Sequence, residues 1–217
     1  NIKVPEINEV GTVIYIIKNN VYLGYILIQD RIKSESKTTI EDLKNIGIEK
    51  TIMLTGDKDD IASKISSELR LDGYYSELLP NEKVEKIKLL SNNKSSREKI
   101  LFVGDGINDA PVLMYSDIGI AMGGIGTDAA IEASDIVIMN DNIHKVVDAI
   151  KIAKKTLLIV KENIIFAIGI KLLTLILGAI GLLPIWFAIF ADVGVSIIAI
   201  INATRIVWSK SEYCYSF

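Results

Sequence analysis

The chain has 217 residues, half of them apolar, and 24 Lys and Arg against 27 Asp and Glu give a formal net charge of −3. The length sets a prior of one or two domains, and the balanced charge, with no basic block, argues against a nucleic-acid partner. One cysteine, Cys214, excludes an internal disulfide and a CxxC metal site, and reads as a bystander thiol. Residues 1–30 are a polar-interrupted β-type stretch rather than a signal peptide. With no initiating Met, the chain reads as cut from something longer.

Taken in order, residues 12–17 (Thr-Val-Ile-Tyr-Ile-Ile) and 21–28 (Val-Tyr-Leu-Gly-Tyr-Ile-Leu-Ile) are β-branched and aromatic, with Lys18-Asn19-Asn20 between them. That predicts a hairpin, too small to stand without further strands. Ile40, Leu43 and Ile46, closed by Gly47, predict an amphipathic helix. Lys50 to Leu54 is a buried-type strand running into Thr55-Gly56-Asp57. Ile61, Ile65 and Leu69 line a second helix, and Val84, Ile87 and Leu90 a third. Ile100 to Val103 is a strand leading into Gly104-Asp105-Gly106, and residues 118–121 and 136–138 are further short apolar strands. Strands alternating with helices imply an α/β, Rossmann-like domain with a parallel sheet and right-handed crossovers. Ligands of such sheets lie outside the carboxyl ends of the strands, where both aspartate-bearing loops, 55–57 and 104–109, emerge.

From about Thr156 the pattern changes. Ile164 to Leu183 carries Lys171 as its only charge, and Ile185 to Ile206 carries Asp192 alone until Arg205. Each stretch is long enough to cross a hydrocarbon layer of ~30 Å. Gly178, Gly181 and Pro184 punctuate the link, so a two-helix transmembrane hairpin is expected, over about 160–183 and 185–207. Lys151, Lys154, Lys155 and Lys161 precede it, Arg205 and Lys210 follow it, and the link carries no charge. The positive-inside rule then places both ends, and the soluble domain, in the cytoplasm of a multi-pass cell-membrane protein.

Val103-Gly104-Asp105-Gly106-Ile107-Asn108-Asp109-Ala110-Pro111 puts two carboxylates four residues apart on a Gly-rich turn that opens a helix. Glycines let the backbone approach a ligand, helix N-termini favour phosphate, and carboxylate oxygens suit Mg²⁺. Thr55-Gly56-Asp57 adds a hydroxyl and a backbone N–H, and Lys83, in Leu79-Pro80-Asn81-Glu82-Lys83, an ammonium. Phosphoryl transfer demands little more than such positioning and charge neutralisation.

The order Thr-Gly-Asp, Pro-x-x-Lys, Gly-Asp-Gly-x-Asn-Asp-x-Pro resembles the P-type ATPases of the haloacid-dehalogenase superfamily. The resemblance covers essentially the whole chain, including Asp30-Arg31-Ile32-Lys33 and residues 123–135. It implies that residues 1–28 end a nucleotide-binding domain, 29–148 form the phosphorylation domain, 149–210 the membrane domain and 211–217 a tail. It further implies Asp105 as Mg²⁺ ligand with Asp109 beside it. Thr55, Gly56 and Lys83 would hold the phosphoryl group of ATP, and Asn108, Asp109 and Asp57 would organise the site. The family's nucleophile is the aspartate of Asp-Lys-Thr-Gly-Thr. Here Asp57-Lys58 is followed by Asp59, so the aspartyl-phosphate is expected on an upstream part of the pump, and this chain alone is expected to hydrolyse no ATP.

Lys171 and Asp192 lie 11 residues before and 10 after Leu182 in the link. At ~1.5 Å per residue both reach about 15 Å deep, so an ion pair at mid-membrane is expected. Asn163 with Lys171, then Asp192-Val193-Gly194 and Asn202, resemble the zinc/cadmium/lead class of heavy-metal pumps. This implies Asp192 as an oxygen ligand of the transported ion and Lys171 as its counter-charge. The family's thiolate ligands sit in a Cys-Pro-Cys motif that this chain lacks. His144 reads as incidental. Two other readings remain: a membrane-anchored phosphatase of the same superfamily, and an inactive truncated remnant that binds a partner.

Overall fold

The computed structural model describes residues 4–7, 12–19, 21–28, 31–104, 109–123, 131–140 and 142–214. The chain forms two compact units, Asn1–His144 and Lys145–Phe217.

The first unit begins with the expected hairpin: β1 (Thr12–Lys18) pairs antiparallel with β2 (Val21–Ile28), with an irregularity between Ile16 and Ile17. Asn19 takes the left-handed conformation, φ 50°, that a tight turn demands and Asn tolerates. Apolar side chains on both faces stay exposed, among them Ile14, Ile16, Leu23 and Ile26.

The α/β part follows as α1 (Ser34–Asn45), β3 (Ile52–Leu54), α2 (Asp59–Leu69), β4 (Gly73–Tyr75), α3 (Pro80–Asn93), β5 (Leu101–Gly104), α4 (Ala110–Tyr115), β6 (Ile118–Met122) and β7 (Ile136–Ile138). Helix α1 ends as its sequence predicts. Gly47 sits at φ 91°, its N–H bonds the Lys44 carbonyl, and the Ile48 N–H reaches Leu43, which satisfies the last-turn acceptors. All strand pairs beyond the hairpin are parallel, β3 with β4 and β5 with β6 with β7. They form two sheets rather than one: among the described residues, β3 is hydrogen-bonded only to β4, and β5 only to β6. Ile52, on a strand of buried type, is accordingly 37% exposed. Strand β4, Gly-Tyr-Tyr, carries no aliphatic run and was not visible as a strand from composition.

The core gathers around β6 and α4. Val112, Leu113, Ile120 and Ala121 are buried, with Phe102 and Ala133 packed against them. Thr51 is tied to Asp72 by its N–H and hydroxyl, at 2.8 and 2.7 Å, which locks the start of β3 to the turn before β4. His144, expected to be incidental, has a partner: its Nε2 lies 2.9 Å from Asp42 Oδ2 of α1.

The second unit is two helices, α5 (Lys145–Ala179) and α6 (Ile185–Cys214). Helix α5 starts well before the apolar stretch, because the preceding Lys- and Ala-containing segment is itself a good helix former. It stops at Ala179 rather than 183. Gly181, at φ 77°, donates to the Gly178 carbonyl and Leu182 donates to Leu177, the glycine-terminated cap that ends a helix. Both helices are long and apolar enough to cross a membrane. Their aliphatic and aromatic side chains point outward, Leu175, Ile176, Trp186 and Phe190 among them.

Candidate functional site

The carboxyl end of β3 opens into Thr55-Gly56-Asp57. The Thr55 N–H is taken up by the Tyr75 carbonyl at 2.9 Å, extending the parallel ladder, and its carbonyl accepts from Leu78 at 3.0 Å. Its hydroxyl donates to Asp57 Oδ2 at 2.7 Å and accepts from the Asp57 N–H at 3.1 Å. The loop is therefore a closed local turn, braced from the other side by Glu77 donating to the Asp57 carbonyl at 2.8 Å. The Gly56 N–H has no acceptor among the described residues. A Cβ at Gly56 would come within 3.3 Å of the Leu78 carbonyl oxygen, so the two loops press together there.

Helix α3 brings in the lysine. Pro80 opens it, and Glu82 accepts from the Leu79 N–H at 2.7 Å, fixing its first turn. Lys83, in that turn, places Nζ 2.9 Å from Asp109 Oδ1, with the two side chains only 18% and 15% exposed. Asp109 stands at the N-cap of α4, just beyond β5. A Cβ at Gly104 would meet Asp109 Cβ at 2.9 Å, so glycine is what lets this carboxylate lie against the strand end. Thr55 and Asp57 thus emerge from one sheet and Asp109 from the other, and Lys83, on the helix between β4 and β5, reaches Asp109. Asp105 and Asn108 lie outside the described residues. Among the described residues no three acidic, His or Cys side chains cluster as a metal site, and the oxygens at hand, the Asp57 and Asp109 carboxylates and the Thr55 hydroxyl, are each of the hard type that suits Mg²⁺ rather than a thiophilic ion.

In the second unit Lys171 Nζ lies 3.0 Å from Asp192 Oδ1. The pair borders a cleft of about 450 Å³ lined otherwise by Ile170, Thr174, Leu175, Ile189, Ala191 and Val195. Both side chains are open to it, 68% and 65% exposed. Sequence reasoning missed Glu162, whose carboxylate pairs with Arg205 at 3.3 Å. An acid just before one apolar stretch and a base near the end of the other were the available signal.

The α/β unit thus carries a Thr55–Asp57 turn at the end of β3 and a Lys83–Asp109 ion pair beyond β5. The chain belongs to the haloacid dehalogenase-like hydrolase family, which matches residues 3–115, and a second haloacid dehalogenase-like pattern matches residues 81–150. It is 53% identical over 196 residues to a zinc-transporting ATPase of Synechocystis sp., covering 90% of this chain and 27% of that protein. It is 46% identical over 209 residues to a cadmium, zinc and cobalt-transporting ATPase of Bacillus subtilis, covering 96% of this chain and 30% of that protein. The crystal structure of a zinc-transporting PIB-type ATPase in the E2.Pi state matches with a TM-score of 0.79 at 34% identity, over 89% of this chain and 31% of that one. The chain therefore spans less than a third of the length of these relatives.

Proposed function

We propose that this chain is the C-terminal segment of a P-type ATPase that couples ATP hydrolysis to export of zinc or cadmium ions, lead being the third ion of the class. The observation that carries the reading is the Lys171–Asp192 contact at 3.0 Å on two otherwise apolar helices. Two charges in hydrocarbon cost several kcal/mol, on the order of 2.5–3.5 each on insertion scales, and are retained where they serve an ion path. A phosphatase needing only an anchor has no use for them.

In this reading residues 29–148 are the phosphorylation domain, on the cytoplasmic side, and α5 and α6 span the cell membrane among lipid. Thr55, Gly56 and Lys83 bind the phosphoryl group. Asp57, which accepts from the Thr55 hydroxyl, organises the site together with Asn108 and Asp109. Asp105, with Asp109 beside it, would hold Mg²⁺, which would supply neutralisation of phosphate charge. The nucleophilic aspartate lies outside these 217 residues. Among the described residues β3 pairs only with β4 and β5 only with β6, which leaves each with an edge to which a strand from another part of the pump could add. At the transport site Asp192 offers oxygen ligation, and Lys171 neutralises it when no ion is bound.

The test is Asp192→Ala in the complete pump reconstituted in liposomes. Zinc- or cadmium-stimulated ATP hydrolysis is expected to vanish while the fold, read by circular dichroism, persists. Full stimulation by either ion would overturn the assignment.

A further inference from the structure

Among the described residues, the Lys171–Asp192 pair is one of two polar rungs between α5 and α6. At the second, Asn163 Nδ2 donates to the Ala199 carbonyl oxygen at 3.1 Å, and Asn202 Nδ2 donates to Asn163 Oδ1 at 2.9 Å. Arg205 donates to Asn202 Oδ1 at 2.9 Å and to Glu162 Oε2 at 3.3 Å. Asn202 Nδ2 also reaches Glu162 Oε2 at 3.4 Å. The amides are partly buried between the helices, whereas Lys171 and Asp192 lie open at the cleft.

The other facing side chains are mainly aliphatic. In hydrocarbon they gain little from meeting each other instead of lipid, so close approach and interhelical hydrogen bonds decide the register. Asn is the residue that sets register in apolar helix seams, because a slip leaves its amide unpaired. Asn163 lies 8 residues before Lys171 and Asn202 lies 10 after Asp192. That is about 12 and 15 Å along the two axes, so both rungs belong to one antiparallel register.

We propose that Asn163 and Asn202, braced by the Glu162–Arg205 pair, are positioning residues that clamp α5 against α6 in the register that sets Lys171 opposite Asp192. A slip of one turn displaces the partners by about 5.4 Å and breaks the Lys171–Asp192 contact. The importance of that contact rests on the transport reading above, whereas the clamp can be tested without transport.

The experiment uses the full chain in liposomes with Cys214→Ser as background. Thr174→Cys is combined either with Ile189→Cys, across the cleft in the observed register, or with Val193→Cys, one turn further on. Oxidative cross-linking should strongly favour the first pair. Adding Asn202→Leu should lower the ratio of first to second cross-link by about fivefold or more, and Asn202→Gln, which keeps an amide, should restore most of it. A ratio unmoved by Asn202→Leu overturns the clamp. Should that variant fail to insert, Asn163→Ala is read in the same way. A shifted ratio in a complete pump whose zinc-stimulated turnover is unaffected by Asn202→Leu would support the clamp and count against the transport role of the Lys171–Asp192 alignment.

Discussion

Lys83 Nζ and Asp109 Oδ1, 26 residues apart in sequence, meet at 2.9 Å and join the first turn of α3 to the N-cap of α4. Neither charge is left alone in a partly buried setting, and in the proposed site a phosphoryl group would add negative charge beside the pair. Lys83→Ala removes the cation that would neutralise it. Phosphoenzyme formation from ATP by the complete pump should fall on the order of 100-fold, the size typical of losing one preorganised donor. Stability should fall by about 1–3 kcal/mol, because the Asp109 carboxylate is left unpaired. Labelling with radioactive ATP measures the first effect. An undiminished level would remove Lys83 from the site.

The proposed Mg²⁺ role of Asp105 makes a separate prediction. Asp105→Ala in the complete pump should stop phosphoenzyme formation at any Mg²⁺ concentration. Gly104→Ala should instead push Asp109 off the end of β5, since the new Cβ would lie 2.9 Å from Asp109 Cβ and 3.0 Å from the Phe102 ring. For that variant the Mg²⁺ concentration giving half-maximal labelling should rise about tenfold, roughly the factor that 1.4 kcal/mol of lost binding corresponds to. Normal labelling by Asp105→Ala would reject the assignment.

Gly119 probes the core without touching the site. Its Cβ would sit 2.9 Å from the Leu113 carbonyl oxygen and 3.2 Å from Leu113 Cβ, and a backbone oxygen does not move aside cheaply. Gly119→Ala should therefore destabilise the first unit by about 1–3 kcal/mol through overpacking. Leu113→Ala, emptying the same region, should cost about 2–5 kcal/mol. Chemical denaturation of the chain in detergent, followed by near-ultraviolet circular dichroism, compares them. A Gly119→Ala variant as stable as the parent would contradict the packing described.

Two carboxylates outside the site set an acid limit. Thr51 donates to Asp72 through its hydroxyl and N–H, Lys44 adds its ammonium, and the carboxyl falls to about 2. Asp117 is likewise held down, first by the Ile100 N–H and then by Lys94 and Lys99. Because the folded state binds these protons more weakly than the unfolded chain does, the stabilisation is complete above about pH 4, the range of an unperturbed Asp. It is lost as pH falls towards 2. Asp72→Asn should flatten the dependence of stability on pH between about 4 and 2, and leave its shape unchanged above that range. Denaturation midpoints across that range test the claim, and a slope as steep as the parent's would refute it.

Much of the fold was legible locally. The hairpin turn at Asn19, the α1 stop at Gly47 and the apolar lengths of α5 and α6 follow from backbone preference and residue periodicity, which act over a few neighbours. Strand β4 was not legible, because a three-residue Gly-Tyr-Tyr strand is defined by the ladder it joins and not by its own pattern. The start of α5 at Lys145 was missed for a related reason: hydropathy marks where a helix turns apolar, not where it begins.

By itself the sequence determined the residue types and spacings that chemistry requires: Thr55-Gly56-Asp57, Lys83, the Asp105–Asp109 loop, and one charge on each of two apolar stretches. Only the tertiary structure decided their partners. It chose Asp109 for Lys83, Asp57 for the Thr55 hydroxyl, Asp42 for His144 and Asn202 for Asn163, and it divided the parallel strands between two sheets. The physical reason is the range of the forces involved. Helix caps and hydrophobic periodicity are settled within a turn or two of chain, whereas an ion pair or an interhelical hydrogen bond forms only after distant segments have packed to within about 3 Å of one another.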